Sequence, residues 1–187
     1  NKPHLPFVAP KKYWDLYERE QIQLPKFQKP PKGKTSYTLS PYKEIEDYIS
    51  REIIDEAKTK ELRHGYYACV SYVDAQIGKI IEVLKEKGKL ENTIIVLWGD
   101  HGFKLGDYGE WAKATNLELD ARVPLIFRMP AKQNAGTKIA TPVELTDIMP
   151  TLCDVASIET PSNAEGQSLL PLFFNPEADF RPFALTQ

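Results

Sequence analysis

Leu62, Tyr66, Cys69, Val73, Ile77, Ile80 and Leu84 recur at spacings of three and four, which is the apolar face of one long amphipathic helix. The helical character runs from Tyr42 to Lys87, and Gly88 supplies a left-handed stop. Ile94 to Trp98 is then continuously apolar, the pattern of a strand buried on both faces, and Val123 to Met129 reads as a second such strand. Lys138 to Val143 is a short third strand, and Phe183 to Thr186 is compatible with another. Asp147 to Ala156 reads as a helix, with Thr146 as N-cap and Pro150 in the first turn, where its missing N–H costs little. Helix beside buried strand predicts an α/β fold with a doubly wound, mostly parallel sheet.

The ends of the chain are patterned differently. Pro3, Pro6, Pro10, Pro25, Pro30, Pro31 and Pro41 keep residues 1–41 from long regular structure, apart from a short helix at Pro10 to Arg19 with Tyr13, Trp14 and Tyr17 on one face. Residues 157–187 are rich in turns, with an apolar patch at Leu169 to Phe174. The organisation expected is a Pro/Lys-rich loop segment at 1–41, an α/β core at 42–156, and the start of a C-terminal subdomain at 157–187.

The chain has 187 residues, enough for a core of ordinary size, and a formal charge of −2 that gives no sign of nucleic-acid binding. No apolar run approaches a membrane span. Cys69 and Cys153 both fall at apolar helix positions and outside any Cys-x-x-Cys pair, which makes them buried small hydrophobes. The chain starts at Asn1 without a recognisable leader, and is expected to be a piece of a longer or processed product.

Chemistry concentrates where the first buried strand stops. Gly99-Asp100-His101-Gly102 comes directly after it, and Gly109-Glu110-Trp111-Ala112-Lys113 lies beyond in a Gly-rich loop. Ligands bind at the carboxyl ends of strands in α/β proteins. An acid and an imidazole there can hold a metal ion, and a lysine adds a point charge suited to an anion. The bland alternative is a turn, since Gly accepts positive φ and Asp caps the next segment of chain.

These blocks resemble the sulfatases of the alkaline-phosphatase superfamily, most closely the iduronate-2-sulfatase-like branch. The matching pieces also include Lys2-Pro3-His4-Leu5-Pro6-Phe7, Tyr67 to Asp74, Val123-Pro124-Leu125-Ile126 and Glu165-Gly166-Gln167-Ser168-Leu169, all in family order. The resemblance implies that Asp100 and His101 are ligands of a divalent cation, calcium in this family. It further implies that Lys113 holds a sulfate oxygen and that His4 faces the bridging ester oxygen as proton donor. Lys104 and Tyr108 depart from the family pattern inside the loop and would line the region where the sugar sits, leaving its identity open, and the substrate would be a sulfated sugar or glycosaminoglycan. The resemblance also implies a periplasmic, secreted or lysosomal location.

One departure is an absence. Sulfatases use a cysteine in a Cys-x-Pro-Ser-Arg run, oxidised to formylglycine, and an adjacent pair of aspartates. This sequence has neither: Cys69 precedes Val-Ser and Cys153 precedes Asp-Val. The expectation is the C-terminal part of a sulfatase catalytic domain, inactive by itself. Two alternatives stand beside it. A metal-dependent phosphatase or phosphomutase of the same superfamily would suit an imidazole ligand, because softer metals accept nitrogen readily and calcium prefers oxygen. A non-catalytic module binding sulfated glycans would use the N-terminal lysines, among them Lys11, Lys12, Lys26 and Lys29.

Overall fold

The computed structural model describes residues 2–35, 38–40, 44–49, 53–130 and 134–186. The start of the expected helical run at Tyr42 lies outside them, as do Asn1 and Pro41. The chain forms two compact units. One comprises residues 1–93 and 97–126, the other 94–96 and 127–187. This division falls elsewhere than at 41/42 and 156/157, and the helix after Asp147 groups with the tail.

The first unit is built on helix α2, Glu56–Glu86. Asp55 caps it, its carboxylate accepting from the Lys58 backbone N–H at 2.8 Å. Gly88 ends it at φ 62, and the Lys89 N–H returns to the Leu84 carbonyl. The apolar face closes only over the N-terminal half, where Leu62 and Cys69 are buried, whereas Ile80 and Val83 are exposed. Leu5, Phe7, Ile45, Leu62, Cys69 and Trp111 form the core. Phe7 meets Tyr66 and Phe103 edge-on, with ring centroids 5.4 and 5.8 Å away. The N-terminal segment approaches α2 this closely because of Gly65, where a Cβ would lie 2.6 Å from the Phe7 carbonyl oxygen.

Helix α1, Lys11–Trp14, is a single turn rather than the longer helix expected through Arg19. Its aromatic face is nonetheless what holds it: Tyr13 packs on Tyr72, Trp14 stacks on His64 at 4.3 Å, and the nearby Tyr17 packs against Tyr67. Strand β1 is Ile95–Trp98 and pairs with β2, Leu125–Arg128. Burial on both faces does not hold for these strands, because Leu97, Trp98 and Ile126 keep 40%, 49% and 56% exposure. A two-stranded sheet has too little neighbouring structure to cover both of its faces. The Cys69 thiol is fully buried, and burial pushes its pKa up despite Lys2. That is the opposite of an activated nucleophile.

The loop after β1 is folded on itself around Lys104, which is 1% exposed. Its Nζ donates to Asp120 Oδ2 at 2.6 Å and lies 3.1 Å from Glu110 Oε2. Asp120 Oδ2 also accepts from the backbone N–H and hydroxyl of Thr115. Asp120 is carried on α3, Glu118–Ala121. Gly102 makes the crossing possible, since a Cβ there would stand 1.9 Å from the Leu119 carbonyl oxygen. Lys104 is therefore not the sugar-binding residue that its place in the loop suggests. Its charge is consumed internally, by two carboxylates that are themselves sheltered.

The second unit has its own polar centre at Asp147, which is fully buried. Asp147 Oδ1 accepts from the Gln167 N–H and from Arg181, each at 2.8 Å, and Oδ2 accepts from the Glu144 N–H. The last of these belongs to a capping box over the turn Leu145–Asp147, so Glu144 and Asp147 serve the role expected of Thr146. Helix α4, Ile148–Ala156, continues from that turn, with Pro150 in its first turn as expected. Gly166 passes so close that a Cβ would sit 2.1 Å from the Thr146 carbonyl oxygen. The apolar patch after Leu169 is helix α5, Leu170–Phe174, which packs on α4. Residues 138–143 and 183–186 form no strand. At Leu185 the backbone N–H is taken by Glu144 at 2.8 Å rather than by a neighbouring strand. Among the described residues no helix is long and apolar enough to cross a membrane.

These contacts set two stability outcomes. Lys104→Met leaves two sheltered carboxylates without their cation and should lower the unfolding free energy by roughly 3–5 kcal/mol in denaturant titrations. A cost below about 1 kcal/mol, the scale of a surface pair, contradicts a buried knot. The second outcome concerns Glu144, whose carboxyl is held below its ordinary value of 4.5 by the Leu185 N–H first and by Arg181. A lowered folded-state value adds stability above the ordinary value, and that stability is lost as pH falls through the folded value. Glu144→Gln should therefore be less stable than wild type at pH 7, with the gap closing as the pH drops below 4.5. A gap that widens on acidification contradicts the assignment.

Candidate active site

The knot at Lys104 fixes where the rest of its loop points. The Lys104 N–H reaches the Ala112 carbonyl and the Gly106 N–H reaches Glu110, which folds the Gly-rich turn back on itself. Leu105, Tyr108 and Ala114 all adopt positive φ (47, 60 and 68°), conformations that side chains with a Cβ resist and that persist only where surrounding contacts impose them. Trp111 is buried in the core, and two residues later the Lys113 side chain is 22% exposed.

Lys113 ends beside His4, its Nζ 3.2 Å from Nε2, although 109 positions separate the two. Both also meet Glu44, in the turn Glu44–Asp47. The Lys113 ammonium donates to Glu44 Oε1 at 2.7 Å and Oε2 at 2.9 Å, and His4 Nε2 lies 3.2 Å from Oε1. On the other side of the imidazole, Nδ1 is 2.9 Å from the Leu5 carbonyl. A carbonyl can only accept, so Nδ1 carries a proton and Nε2 is the nitrogen that faces Lys113 and Glu44. Phe103 lies under Lys113, the ammonium 6.0 Å from its ring centroid. His4 and Lys113, both expected at the site, are thus brought together. Glu44 is a third member that the sequence does not mark.

Asp100 and His101 stand immediately after β1. The Asp100 side chain is 86% exposed, and its Oδ1 accepts the His101 N–H at 3.0 Å. His101 Nδ1 is 2.8 Å from the Gly102 carbonyl, which by the same reasoning leaves Nε2 with its lone pair for a metal. That nitrogen lies 3.8 Å from Asp100 Oδ2. The pair fits one edge of a metal site: an exposed hard oxygen and an imidazole of defined tautomer. It is not a whole site, because calcium takes roughly six to eight oxygens and no group of three or more such ligands occurs among the described residues.

Tyr108 is the remaining candidate. Its ring stacks on Phe27 at 5.2 Å and 9°, its backbone N–H donates to the Phe27 carbonyl, and the Phe27 N–H donates to Asp107 at 2.8 Å. The contacts of Tyr108 thus dock residues near Pro25 onto the loop and leave the ring partly exposed.

A family model described as Sulfatase matches residues 1–158. The chain is similar to a sulfatase of Formosa agariphila, 35% identical over 191 residues, covering 99% of this chain and 36% of that protein. It is also similar to iduronate 2-sulfatase of Homo sapiens, 30% identical over 194 residues, covering 86% of this chain and 35% of that protein. Among solved structures it resembles the phosphonate monoester hydrolase SpPMH from Silicibacter pomeroyi, with a TM-score of 0.75 at 29% identity, over 96% of this chain and 37% of that one. The chain spans about a third of the length of these curated relatives. Its fold is the α/β fold of alkaline-phosphatase-like sulfatases and phosphonate hydrolases, present in part. With the family model covering most of the sequence and the Asp-His and lysine blocks inside it, the chain belongs to the sulfatase family.

Proposed function

We propose that the protein carrying this chain hydrolyses sulfate esters, and that this chain supplies the lysine, the histidine and part of the metal site. The observation that carries the reading is the meeting of Lys113 and His4 at 3.2 Å from opposite ends of the first unit. A lysine and an imidazole this close, both reaching toward one space, suit the two sides of an ester: oxygens on sulfur, and the bridging oxygen to the alcohol. Lys113 stabilises charge on the sulfuryl oxygens. His4, with Nδ1 anchored on Leu5 and Nε2 turned inward, is placed to protonate the departing oxygen when it is an imidazolium. Asp100 and His101 would hold a divalent cation, most simply calcium, which would supply Lewis-acid charge to the reaction when bound. The nucleophile would be a formylglycine outside this chain. Cys69, buried and with a raised pKa, does not compete for that role.

A sulfated sugar, with glycosaminoglycans among the candidates, is the substrate class that the likeness to iduronate 2-sulfatase favours. Restriction to iduronate does not follow from it, because an arylsulfatase of Clostridium perfringens matches at 32% identity as well. The likeness to a phosphonate monoester hydrolase supports a second reading, hydrolysis of phosphonate or phosphate monoesters at the same residues. The ratio of kcat/KM for a sulfate ester and for a phosphonate monoester of the same alcohol separates the two.

In the full-length protein, Lys113→Ala should reduce sulfate-ester hydrolysis about a hundredfold or more, the scale of losing one preorganised charge at an oxyanion. His4→Ala should slow sugar sulfates more than aryl sulfates, since a phenolate leaves without a donated proton and an alkoxide does not. Equal losses on both leaving groups remove His4 from the acid role. Asp100→Ala should lower the bound divalent metal measured by elemental analysis. Undiminished metal content in that variant places the cation elsewhere.

A further inference from the structure

We propose that Glu44 is an exchangeable internal counter-anion: its carboxylate occupies the position on Lys113 that a substrate's sulfate oxygens take, and thereby sets how tightly the site binds an anion. The inference rests on the sulfate-ester reading of Lys113. An ammonium has three N–H groups and no acceptor. At Lys113 two carboxylate oxygens, at 2.7 and 2.9 Å, and His4 Nε2, at 3.2 Å, account for all three. A sulfate oxygen can be held by Lys113 only where one of these partners gives way.

Charge points to Glu44 as the partner that moves. With its carboxylate on the ammonium, the pair carries no net charge toward an incoming sulfate monoester. Once the carboxylate swings off, the ammonium meets the anion uncompensated. Glu44 is 9% exposed and the Lys113 side chain 22%, so the pair is partly sheltered from screening by water and salt. The next residue, Ile45, is 3% exposed within the core. Exchange therefore takes place by rotation about the Glu44 side-chain bonds over a fixed backbone, without opening the unit. His4 need not move, since its Nδ1 stays on Leu5.

A permanent clamp would make the opposite prediction. If Glu44 were needed to hold Lys113 and His4 in place, removing its charge would loosen both and weaken anion binding. The two accounts differ in sign, and inorganic sulfate is a sufficient probe.

The experiment measures inorganic sulfate as a competitive inhibitor of sulfate-ester hydrolysis, and by calorimetry, in the full-length protein. Glu44→Gln should bind sulfate about tenfold more tightly than wild type, because an opposing charge in contact with the anion's cation is gone. KM for the ester should fall with it. On a Lys113→Ala background the same substitution should change sulfate affinity far less, since the shared partner is missing. Unchanged or weaker sulfate binding in Glu44→Gln overturns the inference. Should that variant fail to fold, Glu44→Asp, which draws the carboxylate back by one methylene, must shift affinity in the same direction, and a shift the other way overturns it too. Wild type that turns over sulfate esters while Glu44→Gln binds sulfate no better defeats the inference alone. Wild type that turns over no sulfate ester defeats the sulfatase reading, and the calorimetric comparison still decides whether Glu44 and an anion exchange on Lys113.

Discussion

A buried ammonium holds this site in shape. Lys104 lies almost completely out of water between Asp120 and Glu110, and the stretch from Gly99 to Asp120 is wound around it. A lone charge in that position would be untenable, and the carboxylates are equally dependent on it. The mutual requirement explains why residues of the loop accept positive φ, why Gly102 must lack a side chain, and why Lys113 emerges in a fixed direction. The loop's own backbone hydrogen bonds, Lys104 to Ala112 and Gly106 to Glu110 among them, add to this ionic centre and to Trp111 in the core.

On that platform the site is assembled from three places far apart in sequence. His4 is delivered by a segment pinned through Leu5 and Phe7 against Gly65 of α2. Glu44 is delivered by a turn pinned through Ile45. Lys113 comes from the loop itself. Each functional side chain is thus adjacent to, or two residues from, a core residue, which converts hydrophobic packing into placement of charge. The mixture of one cation, one anion and one imidazole within hydrogen-bonding distance makes the cluster self-satisfied, and under the proposed exchange an anion enters by replacing one of these partners.

Much of this is legible in the amino-acid pattern. The three–four periodicity marks α2 and its glycine stop, and Asp100-His101 and Lys113 stand out by their order after an apolar run. Other features are not legible. Lys104 resembles any loop lysine until its two carboxylates are found 6 and 16 positions away, and sugar binding is a natural expectation for a polar residue between Gly102 and Gly106. Glu44 lies 69 positions from Lys113 in a run of acids with no periodicity, and nothing local marks it as a partner. The strands expected at residues 138–143 and 183–186 do not form, because strand-compatible residues do not by themselves supply a neighbour to pair with. At Leu185 a side-chain carboxylate takes the hydrogen bond instead. The exposed faces of β1 and β2 show the same limit: an apolar run signals that burial is favourable, and leaves open which atoms provide it.

The most direct test is a crystal structure of the full-length protein with sulfate bound. The account predicts a sulfate oxygen about 3 Å from Lys113 Nζ, within hydrogen-bonding reach. It also predicts His4 Nε2 facing the same anion, the Glu44 carboxylate rotated off Lys113, and Lys104 still clasped by Asp120 and Glu110. Sulfate bound elsewhere with Lys113 still paired to Glu44, or a Lys113 turned away from His4, would contradict it.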